Sequence, residues 1–123
     1  MFSRRDFLRS GLAAAGSLAA GRRLFAGQFI HPPLGVQLYT VRRQAEADLP
    51  SVLKQIRAIG YEQVETYWNV YTHPANELRQ MILDAGLTAP SGHFDYQGLP
   101  AKLDYAQELG VSFVICPLLP EKL

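Results

Sequence analysis

The sequence predicts an α/β chain of successive strand-then-helix units: a partial (β/α)8 barrel of about four parallel strands and three helices, preceded by an export segment. Three observations point there. Triplets of apolar residue, glycine and apolar residue occur at Leu34-Gly35-Val36, Ile59-Gly60-Tyr61, Ala85-Gly86-Leu87 and Leu109-Gly110-Val111, so glycines 35, 60, 86 and 110 recur every 24 to 26 residues. A strand-like run follows each glycine, and a helix-like run precedes the last three. The first strand-like run is also mostly apolar on both faces, as in a parallel sheet covered on two sides.

Taken in order, residues 1–26 read as a twin-arginine (Tat) export signal. Arg4 and Arg5, with Ser3 before them and Phe7 and Leu8 after, stand ahead of the Ala/Gly-rich run Gly11 to Gly21. That run is shorter than the roughly 20 residues a bilayer span needs, and cleavage is expected near Ala26-Gly27. Residues 27–33 read as a linker, with Pro32 and Pro33 stopping any helix and His31 a solvated loop residue.

Val36 to Val41 reads as the first strand. Asp48 is placed to cap a helix with Pro50 in its first turn, an apolar stripe of Leu49, Val52, Leu53, Ile56 and Ile59, and Gly60 as its left-handed stop. Gln63 to Tyr67 is the second strand. A second helix, about Pro74 to Ala85, turns Leu78, Met81, Ile82 and Ala85 inward. The third strand is Thr88 to His93, interrupted by Pro90. The third helix, about Leu99 to Leu109, presents Leu99, Leu103, Ala106 and Leu109, and Val111 to Cys116 is the fourth strand. An eight-unit barrel takes roughly 200 to 250 residues. With 123 residues, the chain is expected to hold, over 34–123, the N-terminal half of a larger enzyme. A free-standing four-stranded domain and a half-barrel completed by dimerisation are the alternatives.

Twelve Lys and Arg against eleven Asp and Glu give a net charge of +1, which offers nucleic acid little to bind. The single cysteine, Cys116, excludes an intramolecular disulfide and a Cys-x-x-Cys zinc cluster. Chemistry in such barrels sits at the C-terminal ends of the strands, which singles out Tyr39 to Arg42, Glu65 to Trp68, His93 to Asp95 and Cys116 to Leu119. A carboxylate at Glu65 in a barrel mouth must be paired, liganded or raised in pKa. The imidazole of His93 can ligate a metal, bond a sugar hydroxyl or shuttle a proton, or serve as a hydrogen-bonded structural residue. Tyr39, Tyr67 and Trp68 could offer flat faces to a sugar ring, although aromatics near strand ends commonly just fill the core.

The run LGVQLYTVR, the helix ending IGYEQVE, then AGLTAPSGH and LGVSFVICPLLP resemble the sugar phosphate isomerase/epimerase family of xylose isomerase-like TIM barrels. The resemblance implies a metal-dependent sugar isomerase or epimerase that works through an enediolate. Its divalent ion (Mn, Mg, Co or Zn) would be held by Glu, Asp, His and Glu on later strands, all beyond Leu123. No metal site and no cofactor are therefore expected within this chain, His93 being its one candidate ligand, and the chain alone is expected to be inactive. The implied substrate-facing residues are Gln37, Tyr39, Glu65, Trp68 and His93, and no catalytic residue is assigned. The export signal places the product in the periplasm or outside the cell, with the Tat machinery as partner, a small-molecule sugar as ligand, membrane contact only through the signal, and a homo-oligomer admitted. Because sugar phosphates stay in the cytoplasm, a free or oxidised sugar or a glycoside is the expected substrate. The alternatives are a lyase or hydratase on keto-glycosides using the same fold, and a non-catalytic carbohydrate-binding or inert truncated product.

Overall fold

The computed structural model describes residues 31–121. The expected export segment lies outside the described residues. The expected linker enters only with its last three residues, which are exposed and form no regular element.

Strand β1 (Gly35–Gln37) is short because the chain turns at Leu38 into a 3₁₀ turn, Leu38–Val41. The strand expected to run to Val41 therefore stops at Gln37, and Tyr39 belongs to the turn. Leu38 is fully buried and anchors that turn in the core. Helix α1 (Arg42–Ala47) follows, unforeseen, and ends at Asp48, whose N–H donates to the Gln44 carbonyl at 2.9 Å. The Asp48 side chain then starts helix α2 (Leu49–Ile59), accepting from the Ser51 N–H at 3.1 Å, with Pro50 where a missing N–H does no harm. Leu49, Val52, Leu53 and Ile56 are buried, but Ile59 is 74% exposed. Periodicity gives the direction a side chain points, not whether anything lies beneath it.

Gly60 closes α2 at φ 115°, a conformation that suits glycine. The first glycine of the repeat works differently. Gly35 has no positive φ, and a Cβ there would touch the Gln63 Cβ at 3.4 Å, so it lets β1 approach β2.

Strand β2 (Gln63–Thr66) is followed by a second unforeseen 3₁₀ turn, Trp68–Thr72, and by helix α3 (Ala75–Asp84). Strand β3 (Thr88–His93), helix α4 (Leu99–Leu109) and strand β4 (Phe113–Ile115) complete the order. Among the described residues there are four α-helices, the short α1 being the one added to the three expected. Leu78 and Ile82 of α3 and Ala106 and Leu109 of α4 are buried, whereas Leu103, expected inward, is 47% exposed.

All pairings are parallel, in the order β1-β2-β3-β4. The register lines up Gln37, Glu65, Ser91 and Phe113 across the four strands. Between Gln63–Glu65 and their partners Thr88 and Ser91, β3 carries one extra residue, a bulge. Pro90 sits in it, where a missing N–H is tolerated inside a sheet, and its carbonyl still accepts from the Ser112 N–H at 2.9 Å. Val64, Thr66 and Gly92 are buried, as are the core residues Leu38, Leu53, Leu78, Ile82 and Leu87. Each buried leucine or isoleucine contributes about 1.5–3 kcal/mol to holding helices and sheet together. Gln37, Gln63, Glu65, Ser91 and His93 alternate with the buried set and stay partly accessible. No helix of the described residues is long and apolar enough to cross a membrane.

Candidate functional site

The parallel register brings three strand ends side by side, and their side chains form one hydrogen-bonded cluster. The Gln37 amide donates to Glu65 Oε1 at 2.8 Å, and the Ser91 hydroxyl donates to Glu65 Oε2 at 2.5 Å. His93 Nε2 lies 3.0 Å from Glu65 Oε1. A carboxylate oxygen only accepts, so the ring nitrogen facing it carries the proton, and that requirement assigns the tautomer. The Gln37 amide nitrogen is nearly equidistant from both ring nitrogens, 2.9 Å from Nε2 and 3.1 Å from Nδ1, so it sits against the ring rather than in line with either. With His93 and Glu65 17% and 23% exposed, the cluster is open enough to meet a ligand and closed enough to be held in place.

Glu65 is the hub. Its two oxygens accept from Gln37, His93 and Ser91, which suits it to orient those groups. Ser91 was missed as a site residue. The available sign was its position two residues before His93, which puts both on one face of a strand.

Trp68, at the start of the second 3₁₀ turn, lies nearly parallel to the His93 ring, with centroids 6.5 Å apart and planes 25° apart. Tyr39 is placed beside this group rather than in it. Its ring meets Tyr67 edge-on at 5.6 Å and Trp68 at 6.1 Å, and the Arg42 guanidinium lies 4.5 Å from its centroid. Tyr67 is core, and its hydroxyl donates to Glu46 Oε1 at 3.1 Å. Burial, then that hydrogen bond to a carboxylate, pushes its hydroxyl up to about 12. The Asn69 amide, then the Tyr67 hydroxyl, hold Glu46 below the usual carboxylate range. Cys116 is half-buried and unpaired by any disulfide, and His73 is a turn residue whose carbonyl accepts from the Tyr105 hydroxyl at 2.7 Å.

No family model matches the chain, and no curated protein does. Among solved structures, a sugar phosphate isomerase/epimerase from Parabacteroides distasonis is similar, with TM-score 0.59 and 23% identity. The match covers 77% of this chain and 42% of that one, so the chain spans less than half the length of its structural relative. The fold is that of part of a TIM barrel.

In such barrels ligands meet the carboxyl ends of the strands. Gln37 and His93 are the last residues of β1 and β3, and Glu65 is next to last in β2, so the cluster lies at that end. A divalent ion is another matter. Glu65 and His93 are the only acidic or imidazole donors that meet in the cluster, both carboxylate oxygens already accept from protein donors, and no group of three or more His, Cys, Asp or Glu converges among the described residues. Catalytic zinc sites, for comparison, use about three protein ligands. The described residues do not by themselves bring together a donor set that fits a divalent ion.

Proposed function

We propose that this chain is the substrate-facing first half of an exported, metal-dependent sugar isomerase or epimerase acting through an enediolate. The observation that supports it is the in-register polar row Gln37–Glu65–Ser91, with His93, at the carboxyl ends of three parallel strands. The fold and the printed function of the structural relative point the same way. The metal ligands would come from outside residues 34–123. What this chain supplies is recognition. A sugar hydroxyl pair meets the Gln37 carbonyl oxygen and His93 Nδ1 as acceptors, both oriented through Glu65, while Trp68 offers a ring face. The arginine pair at Arg4 and Arg5 supports export to the periplasm or beyond, and with it a free sugar, oxidised sugar or glycoside as substrate. A lyase or hydratase acting on keto-glycosides at the same cluster is the second reading, favoured by the aromatic surface around Trp68.

Trp68 is the sole tryptophan, so all tryptophan fluorescence comes from the surroundings of this one side chain, the His93 face included. Titrating the full chain with xylose, glucose and fructose should give a saturable change for at least one, weakened about tenfold or more in Glu65→Ala, with the far-UV circular dichroism retained. A flat response to all three sugars, or equal affinity in the variant, removes the reading.

A further inference from the structure

Beside Trp68, on the side away from β1, a cleft of about 390 Å³ opens between the second 3₁₀ turn and α4. Four aromatic side chains line it: Trp68, Tyr71, Phe94 and Tyr105. The tyrosine hydroxyls are already engaged, Tyr71 with the Thr66 hydroxyl at 2.9 Å and Tyr105 with the His73 carbonyl at 2.7 Å. The cleft is therefore offered ring surface rather than hydroxyls, by Trp68, Tyr71 and Tyr105, with the buried Phe94 backing Tyr71. The Tyr71 ring stacks on Phe94 at 4.6 Å and meets Tyr105 at 5.2 Å, which fixes the wall. Ala101 is a small residue lining the cleft, and at its rim Lys102 Nζ holds Asp95 Oδ2 at 3.3 Å and the Gln97 carbonyl at 3.2 Å. Two of the three ammonium donors are thus committed, leaving one for an oxygen on an incoming ring.

The volume falls in the range of small-molecule sites, roughly 300–1,000 Å³. Its position matters as much. Trp68 stacks with His93 and also lines the cleft, so one indole borders both the polar cluster and the cleft. We infer that the cleft is a subsite for a flat aromatic ring, the aglycone of a glycoside whose sugar lies on the Gln37–Glu65–His93 cluster. The ring part stands on the cleft alone; the sugar part rests on the reading above. Aromatic walls with their hydroxyls occupied reward a planar apolar group and give a phosphate little.

The test uses the full chain, Trp68 fluorescence and four probes: phenyl β-D-glucopyranoside, methyl β-D-glucopyranoside, glucose and phenol. The phenyl glycoside should bind about tenfold or more tightly than the methyl glycoside, the worth of one buried ring. Ala101→Leu, which fills the cleft and keeps a good helix former in α4, should abolish that advantage and the binding of phenol. Equal affinities for the two glycosides in the unaltered chain, or an advantage that survives Ala101→Leu, overturns the subsite. Phenol binding that Ala101→Leu removes, with no response to methyl glycoside or glucose, supports the ring site and sinks the sugar reading alone.

Discussion

Gly92 shows how tightly the layer beneath the site is built. A Cβ there would lie 2.6 Å from both the Thr66 hydroxyl oxygen and the Tyr71 hydroxyl oxygen, and 3.1 Å from Phe94. The Thr66–Tyr71 hydrogen bond occupies the space a methyl would need. Gly92→Ala should therefore cost about 1–3 kcal/mol, the usual price of overpacking, seen as a lowered thermal midpoint. An unchanged midpoint would mean that the two hydroxyls can part freely. At this scale Glu65 and His93 stood out in sequence as polar residues at expected strand ends, whereas Gln37 entered only through the family resemblance; the structure joins all three in one hydrogen-bonded cluster. Tyr39 was legible only as an aromatic near a strand end. The apolar alternation of Val36 to Val41 fits a strand, yet Leu38 is drawn into the core by a turn that no local pattern announces.

Among elements, Asp48 joins two helices, its N–H ending α1 and its carboxylate beginning α2. Asp48→Ala is expected to lose about 0.5–2 kcal/mol in urea denaturation, while Asp48→Asn, which keeps an acceptor, should lose little. Equal losses in the two variants would show that charge, not the capping bond, matters there. The long elements were readable because the apolar stripes and stops of α2, α3 and α4 agree with one another. The short ones were not. α1 buries only Ala45, so it has no stripe to detect, although its Arg, Gln, Glu and Ala are all good helix formers. Trp68 to Thr72 is rich in β-branched and aromatic residues and hides a 3₁₀ turn behind strand composition.

At the scale of the molecule, the buried tyrosines of the described residues are expected to lower stability at alkaline pH. Burial pushes Tyr105 and Tyr67 up to about 12 and raises Tyr71 as well, the Thr66 hydrogen bond only partly offsetting it. Their unfolded values lie near 10. Between about pH 10 and 12 the unfolded chain loses these protons while the folded one keeps them, so unfolding is favoured as pH rises. The urea midpoint should hold level to about pH 10 and then fall steadily, and a level profile to pH 12 would contradict the burial of those hydroxyls. The general plan of parallel strands with helices between them was legible from the glycine-marked repeat; the alignment of side chains across strands was not, because one supernumerary residue in β3 decides it. Counting by twos from Gln63 and Thr88 would put Pro90 beside Glu65 and turn Ser91 and His93 toward the helix layer. The bulge acts as a vernier: one notch of slippage brings the serine and the imidazole into phase with the carboxylate. Closing the bulge without removing a residue would leave the backbone ladder intact and turn the serine and the imidazole to the opposite side of the sheet, whereas deleting one residue of 88–90 would keep Ser91 beside Glu65.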